Sequence, residues 1–218
     1  MIFYDATITI PNVGSYYIGT GKMINIEIST FDRSDLQLPS WGILSNSASI
    51  EFKDTDLTFL HLAESNQLNE GAECEIRVNN TDRQSLNKIG VFKAKEWTYD
   101  NNTHTVFVSL RDNLEEWQDI NVDGFGYDPS KTEEENTKNF AYIYDYLWEI
   151  VSNKDYNMEE LSELNTETKN ILLNSYIKYP FLEKGSLWRQ WSKLCQVCQL
   201  HIYQDFSGKI ICRYNGGD

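Results

Sequence analysis

The sequence predicts an α+β protein. A β-barrel or sandwich covers residues 1–120, and a mainly helical segment with a terminal helix and a C-terminal β-hairpin covers 121–218. Apolar residues recur every second position through most of the first half, which is the signature of half-buried strands. Several later stretches carry apolar residues at helical spacing, and alternation returns after Leu200. Strands and helices segregated in this way belong to α+β folds rather than to alternating α/β ones.

The elements follow in order. In Met1–Ile10, Ile2, Tyr4, Ala6 and Ile8 alternate with Phe3, Thr7 and Thr9, and Pro11-Asn12-Val13-Gly14 is a turn. Lys22–Phe31 is a second strand, with Ile24, Ile26 and Ile28 opposite Met23, Asn25, Glu27 and Ser29. A polar connection spans 32–39, and Ser47–Phe52 is a third strand. Asp54 or Thr55 caps a short helix through Leu68, with Leu57, Leu60, Leu62 and Leu68 apolar. Glu70-Gly71 is a turn. Ala72–Val78 shows the cleanest alternation, with Ala72, Cys74, Ile76 and Val78 facing one way. Ile89–Tyr99 and Thr103–Leu110 form a hairpin over Asp100-Asn101-Asn102, residue types that tolerate left-handed dihedrals. Arg111–Ile120 reads as helical, with Leu114 and Trp117 on one stripe.

Composition shifts at residue 121. Asn121–Asn139 holds Gly124, Gly126, Pro129 and three consecutive glutamates from Glu133, and reads as a linker leading into a helix. Phe140, Ile143, Tyr144, Leu147, Trp148 and Val151 mark a helix over 140–151. Met158–Tyr179 reads as one or two helices ended before Pro180. Ser186–Leu200 is a helix with Ser186 as N-cap and Leu187, Trp191, Leu194, Cys195 and Cys198 on one face. The closing hairpin joins 200–204 to 209–214 across Ser207-Gly208.

Charge narrows the function classes. The formal net charge is −14, which repels phosphate backbones and disfavours a tight nucleic-acid grip. Such a surface keeps a free subunit soluble, and it suits a channel wall along which DNA slides without sticking. Four cysteines make no disulfide framework in a chain this long. No signal peptide is visible and no apolar run of about 18 residues exists to span a membrane, so synthesis in reducing cytoplasm is expected.

The candidate chemistry is thin, and the sequence predicts no enzyme, no cofactor and no metal. Cys195-x-x-Cys198 lacks a second ligand pair at zinc spacing and falls late in its helix, on the apolar face. Glu115-Glu116 and Glu133–Glu135 are adjacent, so they point in different directions and make no acid–base pair. Asp54 and Asp56 lack calcium-loop spacing. Gly19-Thr20-Gly21 and Gly124-Phe125-Gly126 lack the third glycine and helix of a phosphate loop. Trp41, Trp97 and Trp117 are the interface or ligand candidates. They would suit a sugar-binding platform, although tryptophan in a β-protein more often fills core or interface.

The run Ser40-Trp41-Gly42-Ile43-Leu44-Ser45-Asn46, followed by Ser49-Ile50-Glu51-Phe52-Lys53-Asp54, resembles the N-terminal region of tail hub, or baseplate, proteins of tailed bacteriophages. So do 71–80, Ile89-Gly90-Val91-Phe92 with Trp97-Tyr99-Asp100, and 106–118. The helix from Leu187 through Trp191 and Cys195, the turn after Asp205 and the strand ending Ile211-Cys212-Arg213 are similar to that region's closing unit. Residues 121–184 have no counterpart in the resemblance. It implies a tail-tube-like β-domain and a non-catalytic part of the virion tail, made in the host cytoplasm. Self-association as a trimer or pseudo-hexameric ring is implied. So are contacts to neighbouring tail tube, distal tail or tip proteins, with DNA passing unbound. The abrupt end after a strand suggests a fragment or a short hub subunit. The alternative reading is a carbohydrate- or receptor-binding β-module of a virion or cell surface.

Overall fold

The computed structural model describes residues 3–29, 42–68, 71–79, 87–124, 126, 128–177 and 184–214. The predicted connection at 32–39, Trp41, Glu70 and Pro180 lie outside them. The fold is α+β with mostly antiparallel sheets, and it divides into two compact units.

The first unit is one antiparallel sheet of seven strands: β1 (Phe3–Ile10), β2 (Gly14–Ile18), β3 (Met23–Ser29), β5 (Ser47–Lys53), β6 (Glu73–Asn79), β7 (Asn87–Asp100) and β8 (Thr105–Arg111). Their order is β2-β1-β6-β7-β8-β5-β3. The alternation read in the sequence is the reason for this sheet. Ala6, Ile8 and Ile10 of β1 face inward together with Cys74 and Ile76 of β6 and with Ala48, Ile50 and Phe52 of β5. Register locks them face to face, with Ile8 opposite Cys74 and Ala6 opposite Ile76. A slip of one residue would turn the whole apolar set to water, so the register is strongly specified.

Three register shifts shape the sheet, one of them between Ile76 and Arg77 of β6 against β7. β7 shifts register between Ala94 and Glu96, so its first half pairs with β6 and its second with β8. β3 shifts between Met23 and Asn25. That bulge corrects the predicted β3 face: Met23, Ile26 and Ile28 pack on the core, while Ile24 is 49% exposed. Helix α1 (Thr58–Glu64) ends short of the predicted Leu68. Asp54 still acts before it, its Oδ2 accepting from Leu60 N at 2.9 Å. Phe59 of α1 sets its ring against Phe52 at 4.9 Å, edge to face. β2 includes residues 15–18, to which the sequence pattern assigns no element, with Tyr16 against the core and Tyr17 outward.

The second unit contains β4 (Gly42–Leu44) and the elements after Leu114. Its principal helices are α3 (Phe140–Ser152), α4 (Thr166–Asn174) and α5 (Leu187–Cys198). Its main sheet has the order β14 (Ile210–Tyr214), β13 (Leu200–Gln204), β4. Two-residue strands β9 (Asn121–Val122) and β12 (Gly185–Ser186) pair, as do β10 (Lys138–Asn139) and β11 (Tyr176–Ile177).

Capping explains where the helices start. Asn139, Asn165 and Ser186 each accept a backbone N–H three residues on, at 3.0, 2.9 and 3.3 Å. Short helix α2 (Glu133–Asn136) opens on a capping box between Thr132 and Glu135. Gln199 closes α5 in the left-handed region at φ 56°.

Three sequence expectations are corrected here. The 1–120 and 121–218 division does not match the contacts. β4 belongs to the second unit because Ile43 runs parallel to Ile202, and the change of unit falls after Asn113. Arg111–Ile120 is not a helix. Asp112 N bonds to Asn46 O, which prolongs strand-like pairing, and a single 3-10 turn follows at Glu115–Gln118. Of the described residues in Met158–Tyr179, only α4 is helical, because Met158 bridges Ile210 and Tyr176 pairs with Asn139.

Candidate functional site

The residues singled out for chemistry go to structural duties. All four thiols are buried: Cys74 in the first unit, and Cys195, Cys198 and Cys212 in the second. Burial pushes the Cys198 thiol up to about 12 and the other three well above their ordinary value. They are therefore protonated and poor nucleophiles. Asp5 accepts from Thr20 N at 2.8 Å, Asp54 accepts from Leu60 N, and Asp56 pairs with Lys22 at 3.2 Å. Among the described residues no group of three or more His, Cys, Asp or Glu side chains could hold a metal. No helix among them is long and apolar enough to cross a membrane.

The tryptophans part company. Trp41 lies outside the described residues. Trp117 is fully buried, its ring stacked on Trp191 with centroids 5.8 Å apart, and it offers no face to a ligand. The Tyr144 ring meets Trp191 edge-on at 5.1 Å. Trp97 is half-buried and stacks on Phe59 at 6.1 Å. The two described candidates thus lie in different units.

A buried polar latch holds the second unit together, and the sequence reading missed it. Glu159 is 6% exposed and lies in an irregular segment. Its carboxylate accepts both Arg213 Nη atoms, Oε1 from Nη2 at 3.0 Å and Oε2 from Nη1. Its carbonyl accepts the Tyr144 hydroxyl at 2.7 Å. This bidentate pair ties the 153–165 connection to β14. Burial pushes the Tyr144 hydroxyl well up, so it stays a donor.

In the first unit, β2 and β3 end the sheet, and Tyr17 is 58% exposed on the one while Ile24 stands out on the other. Tyr4, Thr20 and Met23–Ile26 line a shallow pocket beside β3. Edge strands present unpaired backbone groups, which makes them ready templates for another strand. In the second unit, Phe140 and Ile143 of α3, Ile177 of β11, and Leu194 and Val197 of α5 line an apolar groove. Val197 has a signal in the sequence: with Trp188, it is an apolar residue of α5 that falls outside the buried Leu187–Trp191–Leu194 stripe.

No protein-family model matches the chain, and neither does any curated protein sequence. Solved structures do. The 43 kDa tail protein of prophage MuSo2 from Shewanella oneidensis superposes with a TM-score of 0.55 at 10% identity, covering 99% of this chain and 56% of that one. The tail protein from Neisseria meningitidis MC58 superposes with a TM-score of 0.51 at 12% identity, covering 96% and 50%. The chain spans about half the length of these neighbours and shares their fold.

Proposed function

We propose that this chain is a structural component of a phage tail. In this reading it belongs to the hub or baseplate, where it joins tube to tip as part of a trimeric or pseudo-hexameric ring around the DNA channel. The observation that carries the reading is the likeness to two tail proteins over 96% or more of the chain. Two features support it. The seven-stranded sheet ends in β2 and β3, edges that a ring of subunits would pair or cover. A net charge of −14 would line a lumen with like charge, so DNA passes without adhering. The role is non-catalytic and sited in the virion tail.

Electron microscopy of the purified chain, with light scattering over a rising concentration series, tests this. The expected result is a closed ring with a lumen wide enough for duplex DNA. A monomer at the highest concentration, or an assembly without a central opening, would overturn the ring.

A further inference from the structure

A hollow of about 330 Å³ opens on the second unit between α3, the 153–165 connection and α4. Clefts for small ligands run from about 300 to 1,000 Å³, so this one has room for a single ring and little more. Asp145 and Trp148 line it from α3, Glu160, Leu161 and Ser162 from the connection, and Lys169 from α4. All six belong to the one unit.

The wall is of mixed chemistry. Asp145 and Trp148 are three residues apart, so they share one face of α3. The Trp148 indole packs partly on the unit's core and donates its Nε1–H to Met158 O at 3.1 Å. Its orientation is therefore set before anything binds, which lowers the ordering cost of association. Among the described residues, neither the Asp145 carboxylate nor the Lys169 ammonium makes a hydrogen bond or ion pair. Partial burial raises the Asp145 carboxyl above its ordinary value, the mark of a carboxylate short of solvation. Glu160 Oε2 accepts the Ser162 hydroxyl at 3.3 Å.

These groups select against simple ions. A lone cation meets Lys169, and a lone anion meets two carboxylates. A neutral polyhydroxylated ring meets no like charge. Its hydroxyls donate to the carboxylates and accept from the ammonium, while its C–H face lies on the indole. We infer that this hollow binds one neutral pyranose unit, stacked on Trp148, with its hydroxyls held between the Asp145 carboxylate and the Lys169 ammonium. The binding goes beyond the structural role proposed above and depends neither on it nor on a ring of subunits. One sugar on one indole at a hollow open to water gives a Kd on the order of 1–10 mM.

The test is saturation-transfer difference NMR on the full chain, with methyl β-glucoside, methyl β-galactoside and methyl N-acetyl-β-glucosaminide as probes. At least one of them should show saturable transfer, strongest on the ring protons of one face. Asp145→Asn and Lys169→Met remove no side-chain contact among the described residues, and an unchanged thermal melt verifies that both fold. Each is expected to weaken binding about tenfold. Transfer to none of the three probes at about 50 mM overturns the site. So does binding that both variants leave unchanged, which puts the sugar elsewhere on the chain. Binding of methylguanidinium and not of the glycosides gives the hollow to a cationic side chain and overturns it equally.

Discussion

The two units build their cores in different ways. The first builds its interior from strands in strict alternation, with Phe52, Phe59 and Phe92 among aliphatic side chains and the carboxylates of Asp5 and Asp54 buried on backbone N–H donors, while Glu75 with Arg77 and Lys88 stays nearer the surface. The second packs rings and thiols, namely Trp117, Trp191, Tyr144, Cys195 and Cys212, around a buried ion pair. The strand-built core is specified by register, which every strand reinforces. The ring-and-thiol core is specified by a few large interlocking groups and by polar groups that must find their partners. The second unit is therefore more sensitive to single substitutions.

The sharpest break of this contrast is Trp191→Ala. The ring is fully buried and touches both Trp117 and Tyr144, so its removal is expected to cost about 4 kcal/mol. Regional hydrogen exchange should show lost protection in α3 and α5 while β5 and β8 stay protected. Equal loss in both units would mean that they unfold as one.

High pH should separate the units next. Burial raises all four thiol pKa values above the unfolded value of about 8.5. A raised folded pKa gives stability that is complete below the unfolded pKa and is lost as pH climbs toward the folded one. At pH 9.5 each thiol removes about 1.4 kcal/mol. The second unit holds three of the four thiols and should loosen first. Cys198→Ala should remove about a third of that unit's alkaline sensitivity in urea unfolding at pH 7 and 9.5. No change would show that Cys198 ionises without unfolding.

The same contrast explains what the sequence let one read. Strand alternation in Ala72–Val78 is a local property and survives into the fold from Ala72 through Cys74 to Ile76, because register and burial both act through the period of two. Ser186 and its helix were equally legible, since a cap is written in four adjacent residues. The parallel pairing of Ile43 with Ile202 was not legible, because nothing local to either strand announces a partner so distant. Glu159 was missed for a related reason. It reads as one more acid in a polar run, and only the bidentate contact from Arg213 makes it interior. The candidate surfaces were least legible of all. Ile24 is turned out by a bulge, and Trp148 reads as one more residue of the α3 stripe.

Arg213→Ala tests the latch. Its loss leaves the Glu159 carboxylate buried and short of its main partner. Fully buried pairs cost about 3–5 kcal/mol to break in this way, and the partial exposure of Arg213 reduces that to about 2 kcal/mol. Adding Glu159→Gln removes the stranded charge and should recover part of the loss. A double variant less stable than Arg213→Ala alone would mean that the carboxylate matters to Cys212 N more than to the guanidinium.

The smallest expected effect lies in the first unit. Burial acts to raise the Glu75 carboxyl, but hydrogen bonds from Lys88 and Arg77 outweigh it and hold the group below its ordinary value. A depressed pKa gives stability that is present above the unfolded value of about 4.3 and is lost as pH falls through the folded one. Both cationic partners are about one-third exposed, and screened pairs of this kind contribute under about 1 kcal/mol. Glu75→Gln should therefore cost a few tenths of a kcal/mol at pH 7, and the difference from wild type should vanish near pH 3. Denaturant unfolding at the two pH values reads this directly. A loss at pH 7 as large as that of Arg213→Ala would mean that the strand-built unit also depends on one ionic contact, and the contrast between the units would fall.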